Sequence, residues 1–285
     1  VTTSKPDVHQ ELYGVSPGRE LLGLLKRGAW RPILRIGGIT WWTGGMFLLL
    51  ITGMWATRPW PALRQRWRHR VVRRWARGLG RIVNMRVRTI GPRPRAPFFL
   101  VANHLSYVDI VLLFGELETV FVAKHELGQW PILGYLTRLV GTIFVDRQSR
   151  RDAIRVIEAI DRRIEEGDGV VVFPEGTSSD GSTVYPMKAA LFEWAAQRRF
   201  PVQHAAIHYR TAPGAPPARD AVCWWGSRSF VPHVLELCQL KGFEATIRFG
   251  DDPLIGTDRS ELALRAREAI EANFVIHHAH ADEAR

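Results

Sequence analysis

The hydrophobic and polar positions of this chain fall into three regimes. From Ile36 to Ala56 no charged residue interrupts 21 consecutive positions, which as a helix span about 31 Å, close to the roughly 30 Å hydrocarbon core of a bilayer. Gly37, Gly38, Gly44, Gly45 and Gly53 weaken that helix, and Trp41, Trp42 and Trp55 favour the membrane interface. A spanning helix, an in-plane helix and a buried helix therefore all fit, whereas a cleaved signal peptide fits poorly because the apolar run starts deep in the chain. In the next segment Leu63, Trp67, Val71, Trp75 and Leu79 recur every four residues among Arg64, Arg66, Arg68, Arg70, Arg73, Arg74, Arg77 and Arg81. This predicts a basic amphipathic helix, lying in a headgroup layer or packed on the domain with a solvated basic face.

After the turn residues GPRPRAP, short runs rich in Val, Ile and Phe predict strands at 98–103, 120–124, 141–146, 169–176, 202–209 and 245–249. Helical periodicity fills 109–117, 131–140, 151–167, 187–199 and 259–274 between them. Such alternation predicts an α/β fold with a mixed, mostly buried sheet flanked by helices. Residues 1–90 read as an N-terminal membrane-associating helical region and 91–285 as the catalytic domain.

Charge sharpens this division. Residues 1–97 hold 19 Lys/Arg against 3 Asp/Glu, whereas the remainder holds 20 against 25. A basic front meets an anionic partner, and without any helix-turn-helix, zinc or RNA-binding signature anionic lipid is expected rather than nucleic acid. Only Cys223 and Cys238 occur, so neither a disulfide framework nor a redox motif is expected.

Candidate chemistry clusters where strands end. In ANHLSYVDI a strand delivers His104 into a turn and Asp109 opens the next helix. Ligands of α/β sheets bind at such strand ends. An imidazole is a usable base at neutral pH, and a carboxylate on its other nitrogen fixes the tautomer. The pair resembles a serine-protease triad without its nucleophile, whose place a substrate alcohol would fill. Ser106 and Asp109 also fit a helix capping box, and His104 alone fits a hydrogen-bonded structural histidine. No serine lies in a G-x-S-x-G elbow. In VVVFPEGTSSDG, Gly176 permits close backbone approach and Thr177 adds a hydroxyl, which suits a headgroup cradle or an ordinary turn. Arg147 follows a strand where an anionic headgroup could sit. His204 and His208 read as satisfied histidines near the core, and His277, His278 and His280 as a frayed tail.

Taken in order, N-H-x-x-x-x-D, K-x-E-L-x-x-x-P-x-x-G, G-x-I-F-V-D-R and F-P-E-G-T resemble the glycerophospholipid acyltransferase family, particularly 1-acylglycerol-3-phosphate acyltransferases. The matching residues are His104 and Asp109; Lys124, Glu126, Leu127, Pro131 and Gly134; Gly141, Phe144, Asp146 and Arg147; and Phe173, Pro174, Glu175, Gly176 and Thr177. The resemblance runs from about residue 70 to residue 250.

It implies transfer of a fatty acyl group from a thioester, on coenzyme A or acyl carrier protein, to a lysolipid hydroxyl at the cytoplasmic face of the inner membrane, with no cofactor or metal. By that analogy His104 is the base, Asp109 its partner, and Arg147, Glu175, Gly176 and Thr177 help hold the acceptor, with Lys124 and Lys188 as further binding candidates. The acceptor expected first is 1-acylglycerol-3-phosphate. However, Ser178 stands where many members carry an arginine, and Ala189 and Ala190 replace the usual glycine after Lys188. The S-S-D-G variant and CWWGSRSFVPHVLEL look more like the bacterial branch that includes lyso-ornithine lipid acyltransferases. A non-catalytic peripheral lipid-binding protein is the alternative of another class.

Overall fold

The apolar and basic segments of the N-terminal region fold against each other before they meet anything else. In the computed structural model, which describes residues 30–130, 133–146 and 150–275, α1 (Trp30–Ala56) and α2 (Pro61–Ile82) form an antiparallel hairpin. Trp67 and Trp75 are half-buried against α1, which supplies partners for their indole N–H groups. The Trp67 indole N–H donates to Leu49 O at 3.3 Å and the Trp75 N–H to Thr43 Oγ1 at 3.2 Å, while Trp42 reaches back to Trp75 O at 3.0 Å. Two glycines make the approach possible. A Cβ on Gly53 would fall 2.0 Å from Trp67 Nε1, and one on Gly78 would fall 2.1 Å from Trp42 Nε1. Glycine in α1 thus also serves packing, beyond the helix weakening its sequence implied.

The rest of the chain is built on a seven-stranded sheet of order β1-β7-β6-β2-β5-β3-β4, whose first strand lies before residue 91. Its strands are β1 (Met85–Ile90), β2 (Phe98–Ala102), β3 (Thr119–Lys124), β4 (Ile143–Val145), β5 (Gly169–Val172), β6 (Val202–Thr211) and β7 (Phe243–Phe249). Strands β2 to β6 are mutually parallel, β7 runs antiparallel to β6, and β1 runs parallel to β7. The sheet is therefore mixed, as the alternation predicted. Strand β1 was not anticipated: MRVRTI is arginine-rich and mostly exposed, as befits an edge strand, and reads as a continuation of the basic segment.

Side-chain alternation gives the sheet two cores. Leu100 and Ala102 of β2 pack with Val171 of β5 and Ile247 of β7 on one face, where Met46, Leu50, Val72 and Ala76 of the hairpin complete the cluster. Phe99, Val101, Val170 and Val172 pack on the other face. The remaining helices are α3 (Val108–Glu116), α4 (Leu133–Leu139), α5 (Arg150–Glu165), α6 (Glu193–Arg198), α7 (Ala218–Ala221), α8 (Phe230–Gln239) and α9 (Arg259–Glu271). The helix expected over 187–199 is a 3-10 turn, Ala189–Phe192, followed by α6. Helix α8 had been read only as part of a resemblance.

Two polar clamps fix the hairpin to the domain. At one end Arg35 donates to Leu240 O at 2.5 Å and to Cys238 O at 3.1 Å, satisfying carbonyls left open at the C-terminus of α8. At the other, Asp168 just before β5 accepts from Arg68 at 2.5 Å, His69 at 2.6 Å and Gln65 at 2.8 Å. Arg68 is therefore a buried ion-pair partner and not one of the headgroup-facing arginines its spacing implied. Arg66, Arg70, Arg74, Arg77 and Arg81 form the exposed stripe that remains. Cys223 and Cys238 are both buried free thiols.

Candidate active site

The dyad is built by the end of β2 and the start of α3. Asn103 follows the last residue of β2, and its side chain continues the pairing with β6: its amide donates to Ile207 O at 3.0 Å and its carbonyl oxygen accepts the Ile207 N–H at 2.7 Å. The main chain is thereby released to turn while its position stays fixed. His104 then projects from the carboxyl rim of the parallel strands, the location that favours ligand chemistry.

His104 Nδ1 lies 2.7 Å from Asp109 Oδ2. The same oxygen accepts the N–H groups of Leu105 at 2.7 Å and Ser106 at 3.0 Å, and Oδ1 accepts the Tyr209 hydroxyl at 2.5 Å. The carboxylate is wholly buried, while the imidazole retains 20% side-chain exposure. Four donors satisfy the acid, and the outer ring nitrogen of His104 is left to serve a substrate. The capping-box reading is half realised: Asp109 accepts the Ser106 N–H, but Tyr107 takes the cap position and the Ser106 hydroxyl is buried without a hydrogen bond. The capping contact and the histidine contact thus share one acceptor, Asp109 Oδ2. Beneath the ring, Phe173 stacks at 4.2 Å between centroids and 16° between planes, fixing the tilt of the imidazole.

Glu175 supports the histidine from the main chain. Its Oε1 accepts the His104 N–H at 2.7 Å and its Oε2 the Tyr185 N–H at 3.0 Å. Burial raises this carboxyl to about 7, against the two N–H donors and the nearby His104, which favour its ionised form. Both oxygens are committed to the backbone, so Glu175 acts on the position of His104. Gly176 turns the chain at φ +75°, and Thr177 stands exposed after it. The loop is then tied down: Ser179 N–H donates to His104 O at 2.9 Å, the Ser178 hydroxyl to Trp224 O, and Trp224 N–H to Leu105 O at 2.8 Å.

The other expected site residues lie farther out. Lys188 has an exposed side chain and its N–H donates to Pro174 O at 2.9 Å, holding the segment beside the P-E-G-T turn. Lys124 is exposed at the end of β3, where a 3-10 turn begins. Next along the chain, His125 lines a mixed polar and apolar cavity of about 340 Å³ with Gly128, Arg138, Phe144, Asp146, Asp152 and Arg155. Arg147, Pro131, His277, His278 and His280 lie outside the described residues. His204 departs from expectation, because its Nδ1 is buried without a partner and burial depresses its pKa, which keeps the ring neutral. Asn103 and Phe173 carried a sequence signal only as members of their motif blocks, with no role assigned, and Tyr209 was not foreseen, because an aromatic on a buried strand reads as core.

The Acyltransferase family model matches residues 84–208, a stretch that starts just before β1 and includes both the dyad and the P-E-G-T turn. The chain is 37% identical over 190 residues to the lyso-ornithine lipid O-acyltransferase of Rhizobium meliloti, covering 63% of this chain and 65% of that protein. It is 32% identical over 223 residues to the lyso-ornithine lipid O-acyltransferase of Brucella abortus, covering 74% of this chain and 84% of that one. Its fold is similar to the crystal structure of the 1-acyl-sn-glycerophosphate acyltransferase of Thermotoga maritima, with a TM-score of 0.61 at 18% identity over 85% of this chain and 95% of the other. With the motif order, the sheet and these relatives in agreement, the chain belongs to the glycerophospholipid acyltransferase family.

Proposed function

We propose that this lysolipid acyltransferase uses His104 to deprotonate the acceptor hydroxyl as its oxygen attacks the carbonyl of an acyl thioester. A C–O ester bond forms, the C–S bond breaks, and the imidazolium returns its proton to the departing thiolate of coenzyme A or acyl carrier protein. The observation that carries this reading is the 2.7 Å contact between His104 Nδ1 and the buried Asp109, which leaves the outer nitrogen at the rim. Asp109 orients the ring and stabilises its charged form. Thr177 and Gly176 form the adjacent turn against which a headgroup would rest, and Lys124, Arg147 and Lys188 are the cationic candidates that the family resemblance implies.

A lyso-ornithine lipid is the acceptor best supported. Ser178 stands where an arginine would meet a phosphate, and its hydroxyl is spent on Trp224 O. The relatives at 37% and 32% identity are named for that acceptor. 1-Acylglycerol-3-phosphate is the second reading, favoured by the order of the four motif blocks.

The hairpin supports association in the membrane plane. Helix α1 is long and apolar enough to cross a bilayer, yet α2 runs back along it with Arg66, Arg70, Arg74 and Arg77 exposed. Spanning would carry some of these arginines toward mid-bilayer at about 2.5–3.5 kcal/mol each. In-plane insertion instead sets exposed Trp41, Leu48 and Trp55 among acyl chains and the arginines on lipid phosphates. The anionic cytoplasmic leaflet suits that charge.

The test is thiol release by the purified protein with an acyl thioester and a panel of lyso-ornithine lipid, 1-acylglycerol-3-phosphate and a lysophospholipid, each with both donor carriers. Thiol should appear only when donor and acceptor are both present, and fastest with lyso-ornithine lipid. Tight liposome binding without acceptor-dependent thiol release would instead support the non-catalytic alternative.

A further inference from the structure

Strand β6 holds the dyad at two points, and the mechanism above uses neither. Asn103 pairs with the Ile207 main chain, and two residues along the same strand the Tyr209 hydroxyl meets Asp109 Oδ1 at 2.5 Å. Tyr209 is fully buried, and its ring packs edge-on against Phe243 of β7 at 5.9 Å between centroids, so the hydroxyl cannot swing away without opening the core. Asp109 is equally inaccessible. Its Oδ2 is already shared by His104 Nδ1 and two main-chain N–H groups, so Tyr209 supplies the one hydrogen bond found on Oδ1 among the described residues.

We infer that Tyr209 is a positioning residue, the third member of a Tyr209–Asp109–His104 relay that sets both the orientation of the carboxylate and the basicity of the imidazole. The phenol remains a donor because burial, and then the neighbouring Asp109 charge, raise its pKa well above 10. A donor on Oδ1 withdraws charge from the carboxylate and so tempers the pull of Oδ2 on a charged imidazole. The other titratable groups bearing on this relay are Glu175, Tyr107 and Cys223. The Tyr209→Phe substitution leaves all three in place.

The inference rests on His104 being the base, and the experiment separates the two claims. Tyr209→Phe, compared with His104→Ala and wild type at equal folded fraction, should lower kcat by roughly 10- to 100-fold, by analogy with the span that loss of an outer partner costs behind a metal-bound histidine. KM for the acceptor should stay within about twofold. The acid limb of the kcat/KM profile should move to higher pH, because the unopposed carboxylate holds the imidazolium more tightly. With Asp109→Asn already present, Tyr209→Phe should cost less than about twofold more, since coupled residues are not additive. If His104→Ala keeps its turnover, the base assignment fails. If His104→Ala is inactive while Tyr209→Phe retains kcat, or loses it with the acid limb unmoved and full additivity on Asp109→Asn, the relay alone is overturned.

Discussion

Opposite ends of the sheet each carry a histidine against a buried aspartate, and they differ in whether a substrate could reach the ring. At the carboxyl rim His104 meets Asp109 at 2.7 Å, and at the other end His69 meets Asp168 at 2.6 Å. Both carboxylates are fully buried. The difference lies in the company they keep. Around Asp109 the other donors are two main-chain N–H groups and a phenol, all uncharged, so the acid's charge is directed to one imidazole. Around Asp168 the Arg68 guanidinium at 2.5 Å and Arg163 at 3.6 Å answer the charge directly, Gln65 takes a further lone pair, and His69 has only 8% of its side chain exposed. A histidine–aspartate contact suits the proposed chemistry when the carboxylate lacks a cation and the ring reaches solvent, and serves as a fastener when it is neutralised and closed.

The largest expected effect separates these two roles. His104→Ala should reduce acceptor-dependent thiol release by about 1,000-fold, equivalent to about 4 kcal/mol of transition-state stabilisation, while leaving the melting temperature and liposome binding close to wild type. His69→Ala should leave kcat per folded molecule within about threefold. Comparable loss of turnover in both variants would erase the distinction.

Next in size is Asp168→Asn, which should cost about 3–4 kcal/mol of unfolding free energy, because it leaves Arg68 buried without its counter-charge. Burial by itself would raise the Asp168 pKa, but the hydrogen bonds from His69 and Gln65 and the Arg68 charge outweigh it and hold the carboxyl well below the usual carboxylate range. The unfolded chain therefore takes up this proton first as pH falls. The stabilisation is complete above about pH 5 and is lost as the pH drops below about 4 toward the folded value. Denaturant midpoints measured between pH 3 and 7 should show a smaller acid loss for Asp168→Asn than for wild type. An equal loss would mean that this carboxylate is not the source of the acid dependence.

The two ends were not equally legible in the sequence. The rim site could be read because its parts are short-range: His104 and Asp109 sit five positions apart in one motif, and Glu175 and Gly176 follow directly from β5. The fastener could not, because Arg68 and Asp168 are 100 positions apart and an arginine within R-x-R-x-R-H-R carries no mark of burial. Tyr209 is hidden for the same reason, as its partner lies 100 positions away. Strand β1 was lost to composition: arginine at an exposed sheet edge and arginine on an exposed helix face look alike without the register against β7. The spacing of Trp67, Val71 and Trp75 correctly marked a buried stripe but could not say whether lipid or α1 would cover it.

The hairpin offers a smaller test of how tightly the fastened end is closed. Gly53→Ala places a methyl group where the Trp67 indole now lies, with 2.0 Å to Nε1, and Trp67 immediately precedes Arg68 and His69 on α2. Overpacking of this kind costs about 1–3 kcal/mol. Since α2 is fixed independently by Asp168, the expected outcome is a lowered melting temperature with kcat per folded molecule unchanged. A fall in kcat would show that strain at this end reaches the rim.

Gln65→Ala should have the smallest effect, and its size measures how much of the fastener is charge. Gln65 donates at 2.8 Å to Asp168 Oδ1, the same oxygen that His69 meets, so its removal leaves that oxygen still hydrogen-bonded and the Arg68 pair intact on Oδ2. One neutral donor from a half-buried side chain is worth about 0.5–1.5 kcal/mol. If ion pairing dominates, the Gln65→Ala loss stays in that range. It should also be nearly constant between pH 5 and 7, since Asp168 keeps its charge throughout. A loss approaching that of Asp168→Asn would mean that the guanidinium contributes little net stability after its desolvation, and that hydrogen bonds hold this end together. The two ends would then differ in access alone and no longer in charge.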